Sequence, residues 1–130
     1  MSTVLLDSHV LHWWSAEPAK ISRTATREIE AADELAVASI TWFELAWLAE
    51  HDRIALAVPI RSWLEDLAAD VRTVGTTPAI AATAAALPTS FPGDPADRLI
   101  YATAIEHGWG LVTKDRRLRG HRHPRPLAIW

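Results

Sequence analysis

Five acids in four separate segments are the residues of this 130-residue chain best suited to chemistry. Asp7 closes the apolar run VLLD, and Glu44 lies inside ASITWFELAW. Asp94 and Asp97 open DPADRLIYATAIEHG, and Asp115 closes LVTKD. Taken singly, most of them have a plain structural use. Asp7 and Asp94 are suited to capping a helix, and Asp97 to complementing a helix dipole. Glu44 is harder to explain that way, because its neighbours Phe43, Leu45, Ala46 and Trp47 are apolar. A buried carboxylate needs a partner or a metal, since desolvating it costs several kcal/mol. If the four segments meet at one edge, their charges repel each other unless a cation lies among them. A hard divalent ion with oxygen ligands provides that relief. Mg²⁺ suits the role because it keeps several waters and takes one or two carboxylates directly.

The elements that must position these acids read as alternating strands and helices. TVLLD, LAVAS, VRTVG and GLVTKD are short apolar runs compatible with buried strands, and PLAIW adds a possible fifth. Between them, SHVLHWWSAE, SRTATREIEAADE, ITWFELAWLAEHD, IRSWLEDLAAD, PAIAATAAAL and ADRLIYATAIEHG carry helical spacing or strong helix formers. Ser22 is a good N-cap, Pro59 and Pro78 suit first turns, and Gly108 suits a C-terminal stop. The PTSFPGDP stretch, residues 88 to 95, is a loop dense in Pro and Gly. This order implies one α/β domain over residues 1–130, with a parallel sheet of four to five strands and helices on both faces. Ligands of such sheets bind outside the carboxyl ends of the strands, which is where the acids fall.

Taken together, LLDSH, ASITWFELAW, DPADRLIYATAIEHG and LVTKD resemble, in that order, the four acidic motifs of PIN-domain nucleases. They are most similar to those of the VapC-type toxins of bacterial toxin–antitoxin modules. By this resemblance Asp7, Glu44, Asp97 and Asp115 correspond to the four family acids, with Asp94 as an additional member of the cluster. Ser39 and Thr113 correspond to hydroxyl positions beside those acids. The resemblance implies a PIN-like fold and hydrolysis of RNA phosphodiester bonds with Mg²⁺, or Mn²⁺ in its place. Asp7 and Asp97 are then direct metal ligands, and Asp115 binds a second ion or orients a water. Glu44 holds metal-bound water or acts as a general base. A VapB-like antitoxin is the implied partner, within a homodimer or a toxin–antitoxin hetero-oligomer.

Charge distribution adds a substrate-facing edge. The net charge is −3, yet residues 114 to 125 hold six basic side chains against one acid, leaving −8 on the rest of the chain. Lys114, Arg116, Arg117 and Arg119 begin that run beside Asp115, where they are placed to meet an RNA backbone. Hydrophobic residues at 49% and charged residues at 22% are an ordinary globular balance. There is no cysteine, and neither a leader nor an apolar stretch of membrane-spanning length stands out, so a soluble cytoplasmic protein is expected.

Seven tryptophans are many for this length. Trp47 and Trp63 are expected in the core, and Ile40, Phe43, Trp47 and Leu48 form one apolar stripe. Trp13 and Trp14 are adjacent on one helix, so at least one faces solvent or a partner. His9 with His12, and His121 with His123, have no third ligand beside them, so a zinc site is not expected. Two other readings compete. One is aspartyl phosphotransfer of the haloacid-dehalogenase kind through Asp7, although that chemistry wants Asp-x-Asp and this chain has Asp7, Ser8, His9. The other is a non-catalytic interaction module whose acids only cap helices.

Overall fold

The computed structural model describes residues 1–122 and 124–130. Its strands are β1 (Thr3–Leu6), β2 (Glu34–Ala38), β3 (Arg72–Val74), β4 (Gly110–Val112) and β5 (Ala128–Ile129). Its helices are α1 (Ser8–Ala16), α2 (Arg23–Ala31), α3 (Ile40–Glu50), α4 (Ile60–Ala68), α5 (Pro78–Ala86), α6 (Pro95–His107) and α7 (Arg116–Arg119). A 3₁₀ turn at Pro18–Lys20 follows α1, because Pro18 cannot continue it. Ser22 caps α2 as expected, its hydroxyl oxygen accepting the Ala25 N–H. Gly108 ends α6 at φ 69°, a left-handed conformation that favours glycine. The short α7 falls inside the basic run and has no signature beyond the cap at Asp115.

All strands are parallel, in the order β3-β2-β1-β4-β5. β1 is therefore central, and the chain first builds outward on one side of it and then returns to the other. The gap that opens there, above the carboxyl end of β1, is the topological switch point of a doubly wound sheet. Successive β1 side chains point to opposite faces. Leu5 joins one core with Tyr101, Ile80 and Ile100 under α5 and α6. Val4 and Leu6 join the other with Val10, Leu11, Ile29 and Leu45 under α1 to α3. Burial on both faces explains why β1, β2 and β4 read as continuous apolar runs rather than alternating ones, whereas β3 exposes Arg72 and Thr73.

The aromatic residues depart from expectation on α3. Thr41 and Leu45 form its fully buried face, whereas Phe43 is 65% and Trp47 43% exposed. Trp47 is thus not a core residue, and it stacks on His51 with ring centroids 3.9 Å apart. The cause is that α3 is apolar on nearly every side, so its sequence does not mark which stripe meets the sheet. Trp63 does pack against the second core, edge-on to His12 at 6.0 Å. Trp13 and Trp14 are both half-buried. Among the described residues no helix is long and apolar enough to cross a membrane.

Candidate functional site

Because every strand runs the same way, β1, β2 and β4 deliver their carboxyl ends to one edge, and α6 starts at that edge. Asp7 follows β1 directly and is the N-cap of α1, its Oδ1 accepting the Val10 N–H at 3.0 Å. Asp94 caps α6 through Oδ1, which accepts the Asp97 N–H at 3.1 Å. Asp115 caps α7, accepting the Arg117 N–H at 2.9 Å. Three of the five acids therefore do serve as caps, and each cap occupies one carboxylate oxygen. Capping and a second role are compatible, because the other oxygen still points elsewhere. Glu44 caps nothing. It sits in the second turn of α3, half-buried and turned toward the edge, and accepts a short bond from the Ser8 hydroxyl.

These side chains line one open pocket of about 510 Å³, bounded by Asp7, Ser8, Glu44, Asp94, Asp97 and Asp115, with His9, Trp13, Lys114 and Arg117 at its rim. Thr113 is fully buried and donates to Asp7 Oδ2, while its oxygen accepts the Asp115 N–H at 3.1 Å, tying two acids together. Ser39 does not line the pocket. Its backbone N–H instead bonds the Val74 carbonyl at 2.8 Å. Ser8 stands beside the acids in its place, one residue past Asp7, and nothing in its local sequence marks it for that position.

Electrostatics mark the pocket as short of positive charge. Burial pushes the Asp7 carboxyl above its ordinary range, against the pull of the Thr113 hydroxyl and the Val10 N–H. Burial also raises Glu44, with Asp94 and Asp7 adding repulsion. Asp97 is pushed up to about 6 by burial and by the neighbouring Asp94 and Asp115 charges. Only Asp115 is held low, chiefly by its bond from Arg117. The Arg117 guanidinium reaches Asp115 Oδ2 at 2.8 Å and Asp97 Oδ2 at 3.4 Å, bridging the two acids. Lys114 and Arg119 are exposed, as is Arg116; Lys114 Nζ lies 5.8 Å from the centre of the Trp13 ring.

Among the described residues no three His, Asp or Glu side chains are already drawn together as a closed ligand set. The donors nevertheless fit a hard cation, because all are carboxylate oxygens, three are raised by burial, and a guanidinium already bridges two of them. His121 packs on Phe91 and Tyr101, away from the acids, and its pairing with His123 lies outside the described residues.

The chain that folds into this doubly wound sheet matches the family model of the PIN domain over residues 4–123 and belongs to that family. Among curated proteins it is 74% identical, over all 130 residues of both chains, to "Ribonuclease VapC22" of Mycobacterium tuberculosis. Among solved structures, a toxin–antitoxin complex from Klebsiella pneumoniae aligns with 98% of this chain and 96% of its own, at TM-score 0.69 and 21% identity. VapBC2 from Rickettsia felis, bound to a DNA fragment from their promoter, aligns with 97% of this chain and 96% of its own. Its TM-score is 0.70 at 16% identity, so these structures speak to the fold. The sheet expected from the sequence, parallel and PIN-like, is the one found, with five strands.

Proposed function

We propose that this chain is a ribonuclease toxin of a VapBC-type module, cutting RNA phosphodiester bonds at the Asp7–Glu44–Asp97–Asp115 pocket with a divalent metal. The observation that carries this reading is the convergence of acids from four segments on one strand edge, ringed by Lys114 and Arg117. The 74% identity, over the full length of both chains, to a relative named a ribonuclease supports it. Asp7 and Asp97 would hold Mg²⁺ or Mn²⁺, and Asp115 with Asp94 would complete the anionic wall. The ion, when bound, supplies Lewis acidity and neutralises charge on the scissile phosphate. Glu44 orients the attacking water and accepts its proton. Burial suits it to this work by raising its carboxyl toward the operating pH, and the Ser8 hydroxyl fixes its direction. Thr113 holds Asp7 in place. The expected products carry a 5′-phosphate and a 3′-hydroxyl. The test is cleavage of a labelled single-stranded RNA by the purified chain with Mg²⁺, with Mn²⁺ and with chelator. Cleavage that is unaffected by the chelator would remove the metal from the proposal, and no cleavage with either ion across several RNAs would remove the activity.

The phosphotransfer reading is disfavoured by the residue two after Asp7, which is His9, and by the coupling of Ser8 to Glu44. The capping-module reading leaves Glu44 without a purpose. We assign to the antitoxin the apolar groove beside the pocket, formed by Ile40, Phe43, Trp47, Leu48 and Pro95. An antitoxin seated there lies next to Glu44 and Asp94, which also line that groove.

Two expected results concern the basic rim. Replacing Lys114, Arg116 and Arg119 together by Gln should weaken RNA binding and flatten its salt dependence. The slope of log affinity against log salt falls by about 0.7 for each single-strand phosphate that the protein no longer neutralises. An unchanged slope in filter binding at several salt concentrations would take these side chains out of the interface. Arg117 is different, since it is already engaged by Asp97 and Asp115. Arg117→Gln should tighten Mn²⁺ binding in the RNA-free chain by up to about fivefold, the scale of an exposed ion pair. Calorimetry showing equal or weaker Mn²⁺ binding would mean that the guanidinium does not compete with the ion.

A further inference from the structure

Arg98 follows Asp97 directly but points away from the pocket, and all of its side-chain hydrogen bonds go to backbone carbonyls. Nε donates to Pro92 O at 3.0 Å, and Nη1 to Ala84 O at 3.1 Å and Leu87 O at 3.0 Å. Nη2 donates to Pro88 O at 3.2 Å and, more weakly, to Phe91 O at 3.5 Å. Its guanidinium also lies 5.8 Å from the centre of the buried Phe91 ring. Among the described residues it forms no ion pair.

The five carbonyls belong to the end of α5 and to the proline-rich loop that leads into Asp94. Ala84 O and Pro88 O also accept the Leu87 and Phe91 N–H groups at 3.4 and 2.9 Å, but a helix end leaves carbonyls short of partners, and a loop holding Pro88, Pro92 and Pro95 has few N–H groups for the rest. A planar fork with five N–H donors can satisfy all of them from one point, which an ammonium cannot. The far side of this clasp carries the site. Asp94 accepts the Asp97 N–H at 3.1 Å through Oδ1, and its carbonyl accepts the Arg98 N–H at 3.1 Å. The loop, the cap and the first turn of α6 are thus fixed to one another through Arg98.

We propose that Arg98 is a positioning residue of the metal centre, holding the 88–94 loop against α6 so that Asp94 and Asp97 are presented together to the pocket. This rests on the metal-centre reading above. A loop clasped in this way presents its carboxylates without having to order them when the ion arrives, and loss of such outer support commonly costs about 10- to 100-fold in metal affinity.

The test compares Arg98→Lys with Thr83→Ala. Thr83 donates to Glu106 at 2.9 Å, an α5–α6 hydrogen bond that does not touch the loop, so removing it controls for general loosening. Mn²⁺ affinity is measured by calorimetry on RNA-free protein, and amide hydrogen exchange is followed at Asp97 and Arg98 in the metal-free chain. Arg98→Lys should bind Mn²⁺ at least about tenfold more weakly. Its Asp97 and Arg98 amides should exchange faster, and kcat should fall with KM for RNA nearly unchanged. Thr83→Ala should leave all of these near wild type. Arg98→Gln, neutral and shorter, serves the same comparison if the Lys variant does not fold. Equal changes in both variants, or wild-type Mn²⁺ affinity and exchange in Arg98→Lys, would overturn the role. Failure of the wild-type chain to bind Mn²⁺ would instead overturn the metal centre, while the exchange data would still judge the clasp.

Discussion

Asp7→Asn should reduce metal-dependent RNA cleavage by at least about a hundredfold, more than is usual for residues that only support a ligand. The choice of Asn follows from the geometry. Asp7 Oδ1 accepts the Val10 N–H at 3.0 Å as the cap of α1, and Asn keeps an oxygen for that bond. Ala would remove the cap, at a cost of about 1 kcal/mol, and would strand the buried Thr113 hydroxyl that now donates to Oδ2. Loss of activity in an Ala variant would therefore mix two causes. With Asn the cap stays and the buried charge goes, while Nδ2 can donate to the Thr113 oxygen, so the loss there is confined to the acceptor of the Thr113 hydroxyl proton. Since burial already raises this carboxyl, removing its charge offsets that lost bond, and the metal-free variant should melt close to the wild-type temperature. Mn²⁺ should bind it far more weakly. The decisive pair of measurements is single-turnover cleavage and a melting curve. Wild-type cleavage by Asp7→Asn would remove Asp7 from the site, and a large fall in melting temperature would make it a structural residue first.

The parts of this site legible in the sequence are those set by strand ends. Asp7 and Asp115 each close an apolar run, and in a parallel sheet that placement alone sends both to one edge. Asp97, in the first turn of a helix with a proline start, follows from the same logic. Glu44 stands out because an acid among Phe43, Leu45 and Trp47 needs a reason, and its half-buried position at the pocket supplies one. What the sequence hides are bonds between segments distant in the chain. The Ser8 bond to Glu44 spans 36 positions, and no local pattern distinguishes Ser8 from an ordinary first helical residue. Ser39 suits the hydroxyl role by its place after β2, yet it does not reach the pocket that the acids line. The clasp of Arg98 is invisible for a similar reason, because its acceptors are carbonyls and carry no residue identity. Trp47 defeats a sequence reading through its helix, whose apolar residues surround the axis and leave the buried stripe undetermined.

Three caps among five acids show how the capping and metal-binding readings meet. A helix N-terminus attracts a carboxylate whatever its later use. Folding can thus place Asp7, Asp94 and Asp115 with local hydrogen bonds before any ion is present. Asp7 and Asp115 each direct their second oxygen elsewhere, to Thr113 and to Arg117 respectively. The cost appears as burial of these charges, with repulsion among them added, and it is visible in the raised carboxyls of Asp7, Glu44 and Asp97.

Burial and crowding of these carboxyls give the second large effect, a stability that responds oppositely to pH with and without metal. The Asp97 carboxyl titrates at about 6 in the folded chain against an ordinary 3.8. Between those values the folded state keeps a proton that the unfolded state has released, so stability falls as pH rises through the window. Asp7 and Glu44 act in the same direction, while Asp115, held low by Arg117, acts only below it. His12, lowered by burial, works the other way just below its ordinary 6.5, so the comparison is made against Asp97→Asn, in which that contribution is unchanged. Relative to Asp97→Asn, the metal-free wild type should lose melting temperature as pH rises from the ordinary carboxylate range through about 6. Mn²⁺ needs the ionised carboxylates, so its effect should run in the opposite sense and grow over the same interval. At about a hundred times its dissociation constant it should stabilise the wild type by about 2.7 kcal/mol, which is roughly 10 °C for a chain of this size. Asp97→Asn should keep little of that gain. A metal-free wild type whose melting temperature rises with pH relative to Asp97→Asn would show that the acids are not crowded. Equal Mn²⁺ shifts in the two proteins at neutral pH would place the ion somewhere other than beside Asp97.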